Sequence, residues 1–266
     1  MKEMLSNKIL NRLTDSEFAR LMPALEPVSL IAGDRLAETG EPARFVYFPE
    51  NSIISCHADM RDGKSAEVGM VGKDGVAGLP APFSSGLVVH SLTVAISGSA
   101  LRMSRAALER ELDRSNGLHQ ILLPYVSEYV TQVGQRAACA ILHRMEQRFA
   151  VWLLMITDRL DGAAVGTTQE RIAQHLGVRR AGITVVAREL QSIGAISYRR
   201  GQLHVVDREL LEKVACECYG TLALPRSKPV TGDQAHRAFY ATATSATKVD
   251  ATNSIWKSHS HRAPTR

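Results

Sequence analysis

With 266 residues, 45% of them hydrophobic and 22% charged, the chain has room for one to three domains and a sizeable core. Its net charge of +5 is unevenly spread: residues 167–206 hold six Lys/Arg against two Asp/Glu and residues 221–266 seven against two, while residues 1–140 hold fourteen against sixteen. That split excludes a front half that grips nucleic acid extensively, and no apolar run nears the ~18 residues of a membrane span.

The opening stretch, MKEMLSNKILNRL, lacks the apolar core and cleavage site of a secretory signal, so no membrane partner and a cytoplasmic location are expected. Leu10, Leu13, Phe18, Leu21 and Leu25 recur at near-helical spacing, and Thr14-x-x-Glu17 has the form of a capping box. Short helices are predicted up to Pro23. From Pro27 to Ser104 the texture changes to short β-branched pieces separated by turn residues. Val28–Ile31, Phe45–Phe48, Ile53–Ala58, Glu67–Val71, Val88–Ile96 and Ala100–Met103 read as strands. Turns every eight to twelve residues indicate a β-sandwich or barrel, and Asp62-Gly63 marks a hairpin.

Leu108 to Ile141 turns helical. Leu122, Val126, Tyr129 and Val133 alternate spacings of four and three, a heptad seam interrupted at Arg136. The seam suits a dimer helix; the alternative is a helix packed on its own domain. A further helix from about Met145 to Arg159 carries Phe149, Trp152, Leu153 and Ile156 as a core stripe, and Asp161-Gly162 ends it.

The stretch from Thr167 to Val206 reads as helix, tight turn, helix and β-hairpin, a winged helix-turn-helix. Thr167-x-x-Glu170 forms a second capping box, Ala173 leaves room for a neighbouring helix, and Gly177 permits a sharp left-handed stop. The next helix, Arg180 to Ser192, buries Ile183, Val186, Ala187 and Leu190 along one stripe. Its other face shows Arg180, Thr184 and Arg188, with Arg179 and Ala181 at the entry. Arg pairs bidentately with guanine, and Thr bonds a base or touches a thymine methyl. After Gly194, Ile196–Tyr198 and Leu203–Val206 form the hairpin, whose tip sets Arg199 and Arg200 toward phosphates.

Asp207 is an N-cap for a last helix to about Tyr219, and the tail from Thr221 has no periodicity and is read as disordered. His259-x-His261 in that tail is a weak metal fragment at most. Cys56, Cys139, Cys216 and Cys218 are too few and scattered for a disulfide framework. Cys216-x-Cys218 falls on a predicted helix with its sulfurs on different faces, and no further ligands accompany it, so no metal and no cofactor are expected. An enzyme centre in the β-region would need a His/carboxylate cluster. Only His57 and His90 lie there, without ligand spacing, so the chain is read as no enzyme.

The order of parts resembles the Crp/Fnr superfamily of bacterial transcription regulators over about residues 5–220. RFVYFPENSIIS (44–55), EVGMVGKDGVAGLP (67–80), RMEQRFAVWLLM (144–155) and TQERIAQHLGVRRAGITVVARELQ (168–191) carry the likeness. The resemblance implies an α+β chain. A jelly-roll-like β-roll of the cyclic-nucleotide-binding type would occupy 1–116, a dimerisation helix 117–143, a winged helix-turn-helix 144–220 and the tail 221–266. It also implies a homodimer on a palindromic DNA operator, RNA polymerase as a further partner, and Thr168, Ala173, Gly177 and Ile183 as structural positions of the helix-turn-helix. Nucleotide-binding members carry a Gly-Glu pair and then an Arg for the cyclic phosphate. Here Gly78 is followed by Leu79-Pro80, no Arg occurs from there to Arg102, and His90 is the nearest cationic candidate. The effector is therefore expected not to be cyclic AMP and is otherwise unknown. No cysteine precedes Cys56, so the iron–sulfur site of the redox-sensing branch is absent too. The alternative to a DNA-binding regulator is a β-roll sensor or scaffold that does not bind DNA specifically.

Overall fold

Buried polar side chains anchor the front of the molecule. The computed structural model describes residues 5–79, 87–114, 116–162 and 164–223. Asn7 caps α1 (Lys8–Arg12) by accepting from Ile9 and Leu10, and donates to the Pro49 and Gly75 carbonyls at 3.0 and 2.9 Å. The Thr14–Glu17 capping box is formed at the start of α2 (Asp15–Leu21). Seven strands follow: β1 (Glu26–Leu30), β2 (Arg35–Ala37), β3 (Phe45–Pro49), β4 (Ile53–Asp59), β5 (Ser65–Val71), β6 (Ser91–Ile96) and β7 (Gly98–Ser104). They pair antiparallel in two sheets, ordered β1-β7-β3 and β2-β6-β4-β5. Together with the helices described below they make an α+β chain with the expected β-roll in front. Leu30, Tyr47, Ile54, Cys56, Val71, Leu92 and Val94 fill the space between the sheets.

Two helices follow, α3 (Arg105–Arg114) and α4 (Asn116–Leu142). The seam expected to meet a second copy is partly covered by its own domain. Leu122 is fully buried in the core shared with α1, α2 and α3, and Val126, Tyr129 and Val133 face the β-roll. Tyr129 lies so close on β5 that a Cβ at Gly69 would sit 2.2 Å from its hydroxyl. Of the expected seam, Leu122 is thus buried within its own domain, while Val126, Tyr129 and Val133 are half-buried beside the cavity that Val130 also lines. The row one residue on, Leu123, Ser127, Val130, Gly134, Ala137 and Ile141, keeps the same four–three alternation and is exposed throughout.

Helix α5 (Met145–Arg159) is buried on every side from Phe149 to Thr157, which a helix apolar all round requires. It ends at Asp161 and Gly162, both with positive φ. Around it fold β8 (Val165–Gly166), α6 (Gln169–Leu176), α7 (Arg180–Ser192), β9 (Ile196–Arg199) and β10 (Gln202–Val205). Strand β8, two residues long, has no periodicity to read; it completes the sheet β8-β10-β9. The expected last helix is broken into α8 (Arg208–Val214) and α9 (Cys218–Leu222). Asp207 caps α8 as anticipated. Helix α9 runs past 220 with Leu222 buried, so the ordered chain extends beyond the expected boundary. The rest of the expected tail, with His259 and His261, lies outside the described residues. No described helix is long and apolar enough to cross a membrane.

Candidate nucleic-acid interface

Helix α6 starts one residue later than its sequence suggests. The cap is Thr168, which accepts from the Arg171 amide. Thr167 is buried, and its hydroxyl has no partner among the described residues. Its backbone is held by the wing instead: its N–H donates to the Gly201 carbonyl at 2.9 Å and its own carbonyl accepts from the Tyr198 hydroxyl at 2.9 Å. That tie holds Thr167 against the wing, and no Thr167–Glu170 capping box forms. Gly177 closes α6 at φ 63°, with its N–H toward the Ala173 and Gln174 carbonyls. Ala173 and Ile183 are buried between α6 and α7 as expected.

Helix α7 has the expected bounds, and Ile183, Val186, Ala187 and Leu190 are its buried stripe. Arg179 caps it without a side-chain hydrogen bond, and Arg180, Ala181 and Arg188 are exposed. Thr184 is half-buried; its hydroxyl donates to the Gln169 side-chain oxygen at 2.6 Å. The wing turns at Arg200 (φ 51°) and Gly201 (φ 77°), the double positive φ of a tight hairpin turn. Arg199 belongs to β9, paired with Gln202, so the tip is shorter than expected. Both wing arginines are exposed. The Tyr198 backbone N–H donates to the Gln191 side-chain oxygen at 3.0 Å, fixing the wing against α7. Thr168, Gln169, Arg180, Tyr198 and Arg200 line one open polar cleft between helix and wing. Arg179, Arg180, Arg188, Arg199 and Arg200 form no ion pair among the described residues. With the positive end of α7 beside them, they make a surface suited to a polyanion.

Elsewhere the domain meets the β-roll through buried pairs. Arg159, 1% exposed, bonds Asp74 at 2.8 Å and donates to the Met155 carbonyl at 3.0 Å. Glu67 takes Arg136 at 2.5 Å on one oxygen, and His175 at 2.8 Å with the Ser55 hydroxyl on the other. Burial alone would raise the Glu67 carboxyl, but the Arg136 and His175 charges and the His175 and Ser55 hydrogen bonds outweigh it and hold it at about 2. His57 also approaches this group. The sequence spacing gives no hint of that cluster, because His175 comes from α6.

A cavity of about 710 Å³ lies between the β-roll and α4. Its walls are mainly apolar: Leu36, Val71, Leu92, Val126 and Val133, with Tyr47 and Tyr129. Glu41, Arg44 and His90 line it too, the first two exposed. The sequence does not flag Arg44, because the family's phosphate-binding arginine follows the glycine at the position of Gly78 and Arg44 precedes it. Pro80 and Pro82, in the segment that corresponds to the phosphate-binding turn, lie outside the described residues.

Residues 147–214 match the model of the Crp-like helix-turn-helix domain. Among solved structures, FixK2 from Bradyrhizobium japonicum is similar at 17% identity and a TM-score of 0.62, covering 72% of this chain and 98% of that one. TTHA1359 from Thermus thermophilus, a Crp/Fnr-family transcriptional regulator, is similar at 20% identity and a TM-score of 0.58, covering 71% and 98%. TTHB099 from the same organism, a CRP-family regulator, gives 17% and 0.60, covering 71% and 96%. No curated protein matches the chain. The likenesses at these identities establish the fold, a Crp/Fnr-type α+β architecture with a helix-turn-helix behind a β-roll.

Proposed function

We propose that this chain, a Crp/Fnr-type fold with a Crp-like helix-turn-helix domain at 147–214, is a dimeric, sequence-specific DNA-binding regulator of transcription. The observation that carries the reading is the bare arginine surface. Five exposed arginines on α7 and the wing leave their charge unneutralised on a module whose apolar stripe is fully buried. A packing-only role would not need them. Helix α7 enters the major groove, with Arg180 and Arg188 and the Thr184 methyl at base edges, Arg179 and Ala181 at the entry, and Arg199 and Arg200 on phosphates. No step of chemistry is assigned to any residue; RNA polymerase is the further partner such a regulator would address.

The second copy joins through the exposed row Leu123, Val130 and Ile141, with Ser127, Gly134 and Ala137 between them. A Cβ at Gly134 would meet nothing within 4 Å, so a second helix can come close there. The same row on both copies gives a self-complementary two-fold contact. Half-sites then lie about one helical turn, ~34 Å, apart. The test is selection of bound duplexes from a random library with the full chain, followed by binding titrations on the enriched site. A palindrome bound far more tightly than random duplex supports the reading, and equal affinity for both overturns it. In ultracentrifugation, V130E should be monomeric where the unchanged chain is dimeric.

A further inference from the structure

Four soft donors meet where the long helix ends. Cys139 lies in the last turn of α4, and His143, one residue past its end, still donates its N–H to the Cys139 carbonyl at 3.1 Å. Cys216 sits in the link between α8 and α9, and Cys218 opens α9. The break between α8 and α9, unforeseen in the sequence, brings these last two together over the end of α4. The donor atoms of all four residues lie within 4.8 Å of one another. Cys139 Sγ is 3.6 Å from Cys216 Sγ, and Cys218 Sγ is 3.5 Å from His143 Nδ1. A tetrahedral zinc ion, with bonds of about 2.3 Å to sulfur and about 2.0 Å to nitrogen, sets its ligand atoms roughly 3.5–3.8 Å apart. A disulfide would need sulfurs at about 2.05 Å.

The surroundings match the donors. His143 turns Nδ1 toward the sulfurs and sets Nε2 3.2 Å from a Glu217 oxygen. A carboxylate behind a ligating imidazole fixes its tautomer and ring plane. Gln135 donates its side-chain N–H to Cys218 Sγ at 3.0 Å, and the Cys218 backbone N–H is bonded to the Cys216 sulfur. The guanidinium of Arg148 is close enough to interact with Cys139 electrostatically, and three thiolates around a divalent ion leave one negative charge for it to balance. The three cysteines are 1–5% exposed, which leaves an ion no open position. A Cys139–Cys216 disulfide would use two of the four donors and leave the His143–Glu217 pair and the Gln135 contact without a purpose.

We propose that Cys139, His143, Cys216 and Cys218 bind one zinc ion in a closed, structural Cys₃His site. The ion ties α8 and α9 to the last turn of α4, across the short joint between α4 and α5. It thereby braces the helix-turn-helix domain against the long helix, and only that consequence rests on the DNA-binding reading.

Metal binding is measured without DNA, so its failure is separate from failure of that reading. Reduced full-length chain, stripped with chelator, is titrated with cobalt(II) and then zinc(II). One equivalent of cobalt should give the intense visible bands of a tetrahedral thiolate site, displaced by one equivalent of zinc. C216S and C218S should each cut the intensity of the sulfur-to-cobalt band by about a third or more and weaken zinc by more than 100-fold, and E217A by about 10-fold. C56S, in the β-roll, should change nothing. Circular dichroism reports whether each variant folds; if the cysteine variants do not, H143A, at the more exposed ligand, carries the test. A six-coordinate cobalt spectrum, zinc binding indifferent to C218S or H143A, a Cys139–Cys216 disulfide in the isolated chain, or iron with inorganic sulfide in the site would each overturn the proposal.

Discussion

The helix-turn-helix domain and the helix before it treat their arginines in two opposite ways. On the face of α7 and the wing, Arg179, Arg180, Arg188, Arg199 and Arg200 stand in solvent without an ion pair among the described residues. On the face toward the β-roll, Arg159 is buried and matched to Asp74, while Arg136 from α4 and His175 from α6 share the buried Glu67. Burying a guanidinium without a partner costs several kcal/mol, so each buried charge on the inner face is met by an opposite one. An exposed guanidinium costs almost nothing and keeps its charge for an outside anion. The inner face therefore holds the domain's position and the outer face is free to recognise. Substitutions on the two faces should separate stability from binding.

The largest effect belongs to the inner face. R159A leaves the Asp74 carboxylate without its cation, and should cost about 3–5 kcal/mol in urea denaturation. D74A should cost a similar amount from the other side. If R159A proves as mild as R180A, the contrast between the faces collapses.

Glu67 sharpens the contrast through pH. Its carboxyl is held at about 2 in the folded chain, below the unfolded value of about 4.3. A carboxyl with a depressed folded pKa contributes fully above its unfolded pKa, and the contribution is lost as pH falls toward the folded one. The urea midpoint should therefore drop between about pH 4.5 and 2, and E67Q should lack that component. An E67Q profile parallel to that of the unchanged chain would remove Glu67 from the inner lock.

On the outer face the effects are smaller and appear only in binding. R180A and R188A should each weaken the selected operator by about 1–3 kcal/mol and relax one base position, with the urea midpoint unmoved. R199A and R200A should weaken all duplexes alike and reduce the salt slope by about one each. Wild-type affinity in both α7 variants would remove that helix from the major groove.

What is legible in the sequence follows the same division between local and distant causes. The α7 stripe, the Gly177 stop and the wing depend on neighbours within a few residues, and they are readable. The cap of α6 is not: Thr167 and Thr168 are equally good caps, and the choice is made by Tyr198, thirty-one residues from Thr167. Two adjacent rows on α4 share the heptad rhythm. Only the packing of Tyr129 on Gly69 shows that the larger row is partly covered by its own domain. The Cys₃His group is invisible because seventy-seven residues separate Cys139 from Cys216 and the sequence shows no break between α8 and α9. Arg44 reaches the cavity from outside the segment that the family pattern points to. Period and spacing capture what a chain does with its neighbours; they say little about which distant partner a side chain will find.

The smallest expected effect is none, and it concerns the cavity. A cyclic phosphate leaving water needs a matched cation or several aimed N–H groups. The cavity offers a mainly apolar wall. Tyr125, beside it, already donates to the Val76 carbonyl at 3.0 Å, and the Tyr129 hydroxyl is engaged with Cys56. Arg44 stands exposed, where a phosphate would remain in competition with water and salt. Cyclic AMP and cyclic GMP at pH 7.5 should therefore give no heat in isothermal titration and no change in operator affinity. An apolar effector is better matched to such walls, because burying apolar surface is worth about 25 cal/mol per Å² and asks for no counter-charge. A low-micromolar dissociation constant for cyclic AMP, lost in R44A, would show that Arg44 supplies the cation after all, and that the wall turns polar when ligand enters.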